Sequence, residues 1–315
     1  MQKDLNLKEY GGKILVVAGP TASGKSQLAL DVATAYNGTV INADASQVYK
    51  DIPILSACPT EDDKQQAEHL LYQYLDGAVN GTVVDWLKEA EKAVRQTWAK
   101  GKLPIVTGGT GLYIENLING TTPIPAVEPD IRARAMELLE NFGIEGLFAK
   151  LKEIDAKAAA ALSPNDKTRV RRAYEIMKQT GISVMEWYKR PLVKVLPEAS
   201  FTVVKIMPEK AELDERCNIR FDKMMAAGAV EEVFSLQAKK IPAEYPVMKA
   251  LGVPEICSAL SGNIPMEEAV VLGKLRSRQY AKRQRTWFGN RLEADAVLDK
   301  CYDGRLPKFV GSLFA

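Results

Sequence analysis

Apolar and polar positions fall into alternating blocks along the first hundred residues. Ile14-Leu15-Val16-Val17-Ala18 is a continuous apolar run that ends at a Gly-Pro turn. It predicts a short strand buried on both faces. After Lys25 the residues Leu28, Ala29, Val32 and Ala33 recur at helical spacing. Thr39-Val40-Ile41 is the next strand candidate, ending in Asn42-Ala43-Asp44. Thr82 and Asp85 have capping-box spacing, and behind them Val84, Leu87, Glu91, Val94 and Trp98 hold helical register, apolar at all but one position. Gly101 is the stop signal. Leu103-Pro104-Ile105-Val106 predicts a third buried strand, running into Thr107-Gly108-Gly109-Thr110-Gly111. Strands separated by helices imply a parallel sheet with right-handed crossovers.

The pattern changes near Asn119. From Asp130 to Lys189 the chain is helical and charge-rich, with a helix-forming tract at Ala158–Ala161 and a break at Ser163-Pro164-Asn165-Asp166. Strand character returns at Phe201–Ile206. The expected organisation is a discontinuous α/β core, 1–119 with 200–315, holding a helical insertion at 120–199. Beyond Glu209 helix dominates, and Pro265 with Glu267 and Glu268 opens a long helix reaching about Phe288.

Composition narrows the function classes. The 315 residues are 46% apolar and 26% charged, ordinary values that exclude disordered, collagenous and coiled-coil chains. His69 is the only histidine, which excludes multi-histidine zinc chemistry. Cys58, Cys217, Cys257 and Cys301 form no CxxC pair and read as reduced, mostly buried thiols. Residues 1–13 lack the apolar run of a signal peptide, and no segment approaches the roughly 20 apolar residues of a membrane span. The expectation is a cytoplasmic protein.

The strongest chemical signal is Gly19-Pro20-Thr21-Ala22-Ser23-Gly24-Lys25-Ser26. It follows a buried strand and opens a helix, as a phosphate-binding loop must. Glycines let successive N–H groups face one concavity, and the helix N-terminus adds positive potential. Lys25 supplies a charge for phosphate oxygens, and the Ser26 hydroxyl can ligate Mg²⁺. This predicts binding of a di- or triphosphate group without naming the ligand. Asp44 is the only carboxylate at a predicted strand end in this half; it suits a general base or a metal ligand, and equally a solvated turn cap. Gly108-Gly109-Thr110-Gly111 is either a tight strand-to-helix turn or a second loop facing the same ligand. From Val270 to Arg291 come Lys274, Arg276, Arg278, Lys282, Arg283, Arg285 and Arg291, with no acid among them. Arg278, Lys282 and Arg285 share one helical face, which is either a solvated surface or a polyanion contact. Lys167, Arg169, Arg171 and Arg172 form a second basic cluster in the insertion.

Taken together these motifs resemble the tRNA dimethylallyltransferase family, the isopentenyl transferases that prenylate adenosine beside the anticodon. The matching stretches are GPTASGKS at 19–26, Asp44-x-x-Gln47-x-Tyr49, GGTGLY at 108–113, NDKTRVRRAYE at 165–175, RFDKMMAAG at 220–228 and RQYAKRQRTWF at 278–288. The resemblance implies a P-loop NTPase-like parallel sheet flanked by helices, with a helical insertion domain and a helical C-terminal region. It implies transfer of the dimethylallyl group from dimethylallyl diphosphate to the exocyclic amine of the adenosine 3′ of the anticodon. Gly19 to Ser26 would hold the diphosphate, with Mg²⁺ on Ser26. Asp44 would be the general base, Thr110 would lie beside the reacting groups, and Arg220 would clamp the leaving diphosphate. Gln47, Arg169, Arg172, Arg278, Gln279, Lys282, Arg283 and Arg285 would contact the tRNA anticodon arm. The enzyme is expected to act as a monomer away from membranes.

The chain departs from the family's pattern in one region. Ala45 stands where the family usually has serine, with Ser46 one place later, so Asp44 is expected to lack a hydroxyl neighbour. Leu55-Ser56-Ala57-Cys58-Pro59 replaces Gly-Thr-Ala-Lys-Pro, and Glu68-His69 replaces a Pro-His pair. Two rival readings explain fewer residues. A P-loop kinase would use the loop for ATP and Asp44 as base, leaving the basic clusters idle. A non-catalytic RNA-binding module would bind RNA without turnover.

Overall fold

A computed structural model describes residues 10–312, apart from the side chains of Phe309 and Ser312. Most of the polar stretch at 1–13 lies outside them. Six strands form one parallel sheet: β1 (Lys13–Ala18), β2 (Gly38–Asn42), β3 (Glu68–Leu70), β4 (Leu103–Gly108), β5 (Ser200–Ile206) and β6 (Ala296–Leu298), in the order β3-β2-β4-β1-β5-β6. The continuous apolar run of β1 has its reason in this placement. Ile14, Val16 and Ala18 enter one core, while Leu15 and Val17 enter the other with Leu28 and Val32 of the helix Lys25–Ala35. The sheet is thus covered on both faces, as a parallel sheet requires.

β3 and β6 were not legible in the sequence. Each has three residues, lies at a sheet edge, and is at most half-buried, so neither shows an apolar run or a clean alternation. His69 sits on β3, where its Nδ1 lies 2.9 Å from the Ala67 carbonyl and its ring meets Tyr72 edge-on.

The chain divides into two compact units, 1–118 with 195–315, and 119–194. The second boundary falls before 199 because Leu196, 1% exposed, belongs to the core beneath the sheet. The smaller unit is helical and has its own core of Ala135, Leu147, Leu151, Val170, Ile176 and Trp187. Asp155 and Asp166 start two of its helices by accepting from the amides of Ala158 and Arg169. Thr121 and Val193 exchange two backbone hydrogen bonds of 2.9 Å and close its neck. Among the described residues no helix is long and apolar enough to cross a membrane.

Candidate active site

Three loops leave the carboxyl edge of the sheet side by side. β2, β4 and β1 are consecutive neighbours, and the registers Ala18↔Gly108 and Asn42↔Thr107 bring their ends level. The phosphate-type loop follows β1, Gly109-Thr110 follows β4, and Asp44 follows β2. This is the edge where open α/β sheets bind ligands.

The helix Lys25–Ala35 begins at Gly24, whose φ of 91° suits glycine, and has neither a side-chain cap nor an acid in its first turn. Its leading amides have no intrahelical acceptor, so they and the helix dipole present positive potential. Ala22 is also left-handed, at φ 64°, a conformation costing an L-residue about 1 kcal/mol. Strain of this kind collects at functional loops. The amide of Tyr302 donates to the Ser23 carbonyl at 2.9 Å and clasps the loop from outside.

Lys25 is 7% exposed, with Nζ 3.5 Å from the Pro20 carbonyl. Burial lowers its pKa from 10.5 to about 8; Asp44 opposes the shift and Arg220 adds to it. Arg220, on the helix Lys210–Ala226, donates to Thr21 Oγ1 and, at 3.3 Å, to the Ser56 carbonyl. Burial depresses its pKa too, against the opposing charge of Asp44. One carboxylate, the buried Lys25 and the half-buried Arg220 therefore share a single field. A pocket of about 420 Å³ opens onto the two cations, lined by Lys25, Ser26, Arg216, Arg220 and Lys223 and by no carboxylate. A smaller cavity shares Arg220, reaches Thr21, and is walled by Leu55, Phe221, Met224 and Leu251.

Asp44 is fixed from several sides. Its amide donates to Asn42 Oδ1 at 2.8 Å, while its Oδ1 accepts from the Ser46 amide at 3.0 Å and the Ser46 hydroxyl at 2.6 Å. The expectation of a missing hydroxyl is corrected here: Ser46 turns back to supply it. Thr110 Oγ1 accepts from the Ala45 amide at 2.9 Å, tying the β4 loop to the Asp44 loop. Gly108 permits this approach, since a Cβ there would lie 2.1 Å from the Ala43 carbonyl.

The structure thus brings together Gly19 to Ser26, Asp44, Thr110 and Arg220. The residues assigned to RNA by resemblance differ in setting. Gln47 is 8% exposed and donates to the carbonyls of Ser56 and Ala57, bracing the turn that also receives Arg220. Arg278 and Arg285 are half-buried rather than fully solvated, donating to Asn218 Oδ1 and the Pro208 carbonyl. Gln279, Lys282 and Arg283 are exposed, and Arg283 lies over the Tyr280 ring. In the smaller unit Arg169 is exposed beside Asp166, and Arg172 is half-buried beside Glu175.

Other residues at the site escaped the sequence reading. Buried Glu232 accepts from the amides of Ile54 and Leu55 and so positions the Ser56 carbonyl that receives Arg220. Gln284 contacts both glycine-rich loops. Their partners lie more than 170 residues away, so no local spacing marks them.

The IPP transferase family model matches residues 47–291 of this chain. The tRNA dimethylallyltransferase of Rhodospirillum rubrum is 45% identical over 288 residues, 91% of this chain and 88% of that protein. The protein of the same name from Zymomonas mobilis subsp. mobilis is 40% identical, covering 92% of this chain and 91% of its own. The crystal structure of the full-length tRNA isopentenylpyrophosphate transferase of Bacillus halodurans aligns at TM-score 0.66 and 31% identity, covering 96% of this chain and 94% of that one. A eukaryotic dimethylallyltransferase acting on tRNA aligns at TM-score 0.77 and 29% identity, over 88% of this chain and 69% of that one.

Proposed function

The chain belongs to the IPP transferase family, and from that premise we propose that it is a tRNA dimethylallyltransferase, using dimethylallyl diphosphate as donor. The observation that carries the reading is the convergence of Asp44, Lys25 and Arg220 at three level strand ends. The exocyclic amine of adenine is a weak nucleophile because its lone pair is delocalised into the ring. As its nitrogen bonds to C1 of the dimethylallyl group, the C1–O bond breaks and the diphosphate leaves with the electron pair. Asp44 takes the amine proton. Lys25, Arg220 and the amides at the helix start stabilise the charge gathering on the bridging oxygen.

Magnesium fits only as a companion of the diphosphate. Ser26 is exposed at the pocket, and among the described residues no cluster of three His, Cys, Asp or Glu could hold an ion alone. Ser26 would hold the ion together with phosphate oxygens, where it adds charge stabilisation to the leaving group. The kinase reading uses the same pocket but gives no work to the exposed basic residues Lys282 and Arg283 of the long C-terminal helix, which contact the anticodon arm. The target base is splayed from its loop to reach Asp44, at a smaller cost than in a duplex. We take the enzyme to act as a cytoplasmic monomer, since one chain carries the complete residue set.

The test is incubation with dimethylallyl diphosphate, Mg²⁺ and unmodified tRNA, followed by digestion and mass spectrometry of the nucleosides. Adenosine carrying one prenyl group, dependent on the diphosphate, is the expected product. Absence of product, with an active relative succeeding in parallel, would refute the reading.

A further inference from the structure

The helix Met266–Arg291 buries a stripe of small or apolar residues, Gly273, Ser277, Ala281 and Phe288, interrupted by one long polar side chain, Gln284. Gln284 is 5% exposed. Its Oε1 accepts from the Thr21 amide at 2.8 Å, and its Nε2 donates to the Gly109 carbonyl at 2.8 Å. One carboxamide therefore joins the loop after β1 to the loop after β4. The first loop is the diphosphate cradle of the reading above. The second carries Thr110, which holds the amide next to Asp44.

The surroundings leave this side chain little alternative. A Cβ at Gly109 would lie 2.2 Å from Nε2 of Gln284 and 3.1 Å from Oδ2 of Asp44, so the amide lies within the same contact shell as the carboxylate. One turn further on, the Trp287 ring covers Gly111 so closely that a Cβ there would lie 2.2 Å from it. The far end of the helix is fixed by Lys205 of β5, whose Nζ donates to the carbonyls of Phe288 at 3.1 Å and Leu292 at 2.5 Å. The helix is thus anchored to the sheet and reaches both reactive loops through one residue.

We propose that Gln284 is a positioning residue for the transfer reaction. It sets the separation between the diphosphate cradle and the Asp44–Thr110 loop, and so the distance from amine to C1. The inference rests on the proposed function and adds a residue outside the reacting set. An error near 1 Å in reactant placement costs on the order of 100-fold in rate. Loss of both hydrogen bonds is therefore expected to lower kcat about 10- to 100-fold. The basic residues of this helix keep their place, so tRNA affinity should stay within about twofold.

The experiment compares full-length wild type with Gln284→Met, which keeps the length and removes both hydrogen bonds, and with Gln284→Ala. Steady-state kinetics with dimethylallyl diphosphate and tRNA, tRNA filter binding and thermal unfolding are measured on each. Gly109→Ala reaches the same contact from the opposite loop by pushing the carboxamide aside, and should lower kcat similarly. In Gln284→Ala/Gly109→Ala the 2.2 Å clash with the carboxamide is gone and only the 3.1 Å approach to Asp44 Oδ2 remains, so the two losses should be less than additive. Gln284→Met with kcat within twofold of wild type overturns the inference. So does a loss lying wholly in KM or folded fraction, additive losses in the double variant, or failure of both single variants to fold, which would make Gln284 merely structural. An inactive wild type would instead count against the proposed function.

Discussion

Lys25 gives the sharpest quantitative test, because its charge opposes folding while serving binding. Its pKa falls from 10.5 to about 8, with burial as the main cause. Each pKa unit is worth about 1.4 kcal/mol, so holding the buried ammonium without a bound diphosphate costs about 3 kcal/mol at neutral pH. Between pH 8 and 10.5 the unfolded chain binds more protons at this position than the native one, so stability rises with pH there. Below pH 8 the native state bears the full cost. Lys25→Met removes the charge and keeps a similar volume. At pH 7 it should be more stable than wild type by up to about 3 kcal/mol, with the difference shrinking to nothing by pH 10.5. Urea unfolding of both proteins from pH 7 to 10.5 measures this directly. Saturating dimethylallyl diphosphate should return the Lys25 pKa toward its ordinary value and flatten the wild-type rise between pH 8 and 10.5. A variant less stable than wild type at pH 7, or a difference independent of pH, would refute the reasoning.

Three further outcomes are expected. Asp44→Ala should lower turnover at least 100-fold with tRNA affinity unchanged, measured by product formation and filter binding; near-normal turnover would remove Asp44 from the base role. Arg220→Ala breaks the contacts to Thr21 and Ser56 and should weaken dimethylallyl diphosphate binding about 10- to 100-fold by calorimetry. Unchanged affinity would place the diphosphate elsewhere. Lys282→Gln with Arg283→Gln should flatten the log–log salt dependence of tRNA binding by about 1.5, because both residues are exposed. An unaltered slope would mean that neither touches a phosphate.

The reactive loops were legible because each combines local signals. β1 reads as buried because its neighbours cover both faces, and the loop behind it carries a phosphate-binding spacing of glycines, lysine and serine. Asp44 and Thr110 could be placed because they close apolar runs that became β2 and β4. What holds the loops was not legible. Gln284, Glu232 and the Tyr302 amide act across 175 to 279 residues of chain, and such contacts leave no periodicity. The basic helix was misleading in the opposite sense: Arg278 and Arg285 share a face on a helical wheel, yet neighbouring groups engage them both. Ser46 shows the limit of matching residues column by column. Its hydroxyl reaches Asp44 from one place further along the chain.

The sheet order also sets a schedule for synthesis. β1 lies between β4 and β5, yet residues 119–194 must be made between those two strands. At roughly 5–20 residues per second, one edge of β1 stands open for on the order of ten seconds on the ribosome. That edge belongs to a strand in which Leu15, Val16 and Val17 are at most 1% exposed in the finished protein. An uncovered apolar edge is an aggregation hazard. Slow translation through the insertion would therefore lower the yield of folded enzyme through a strand that lies upstream of it.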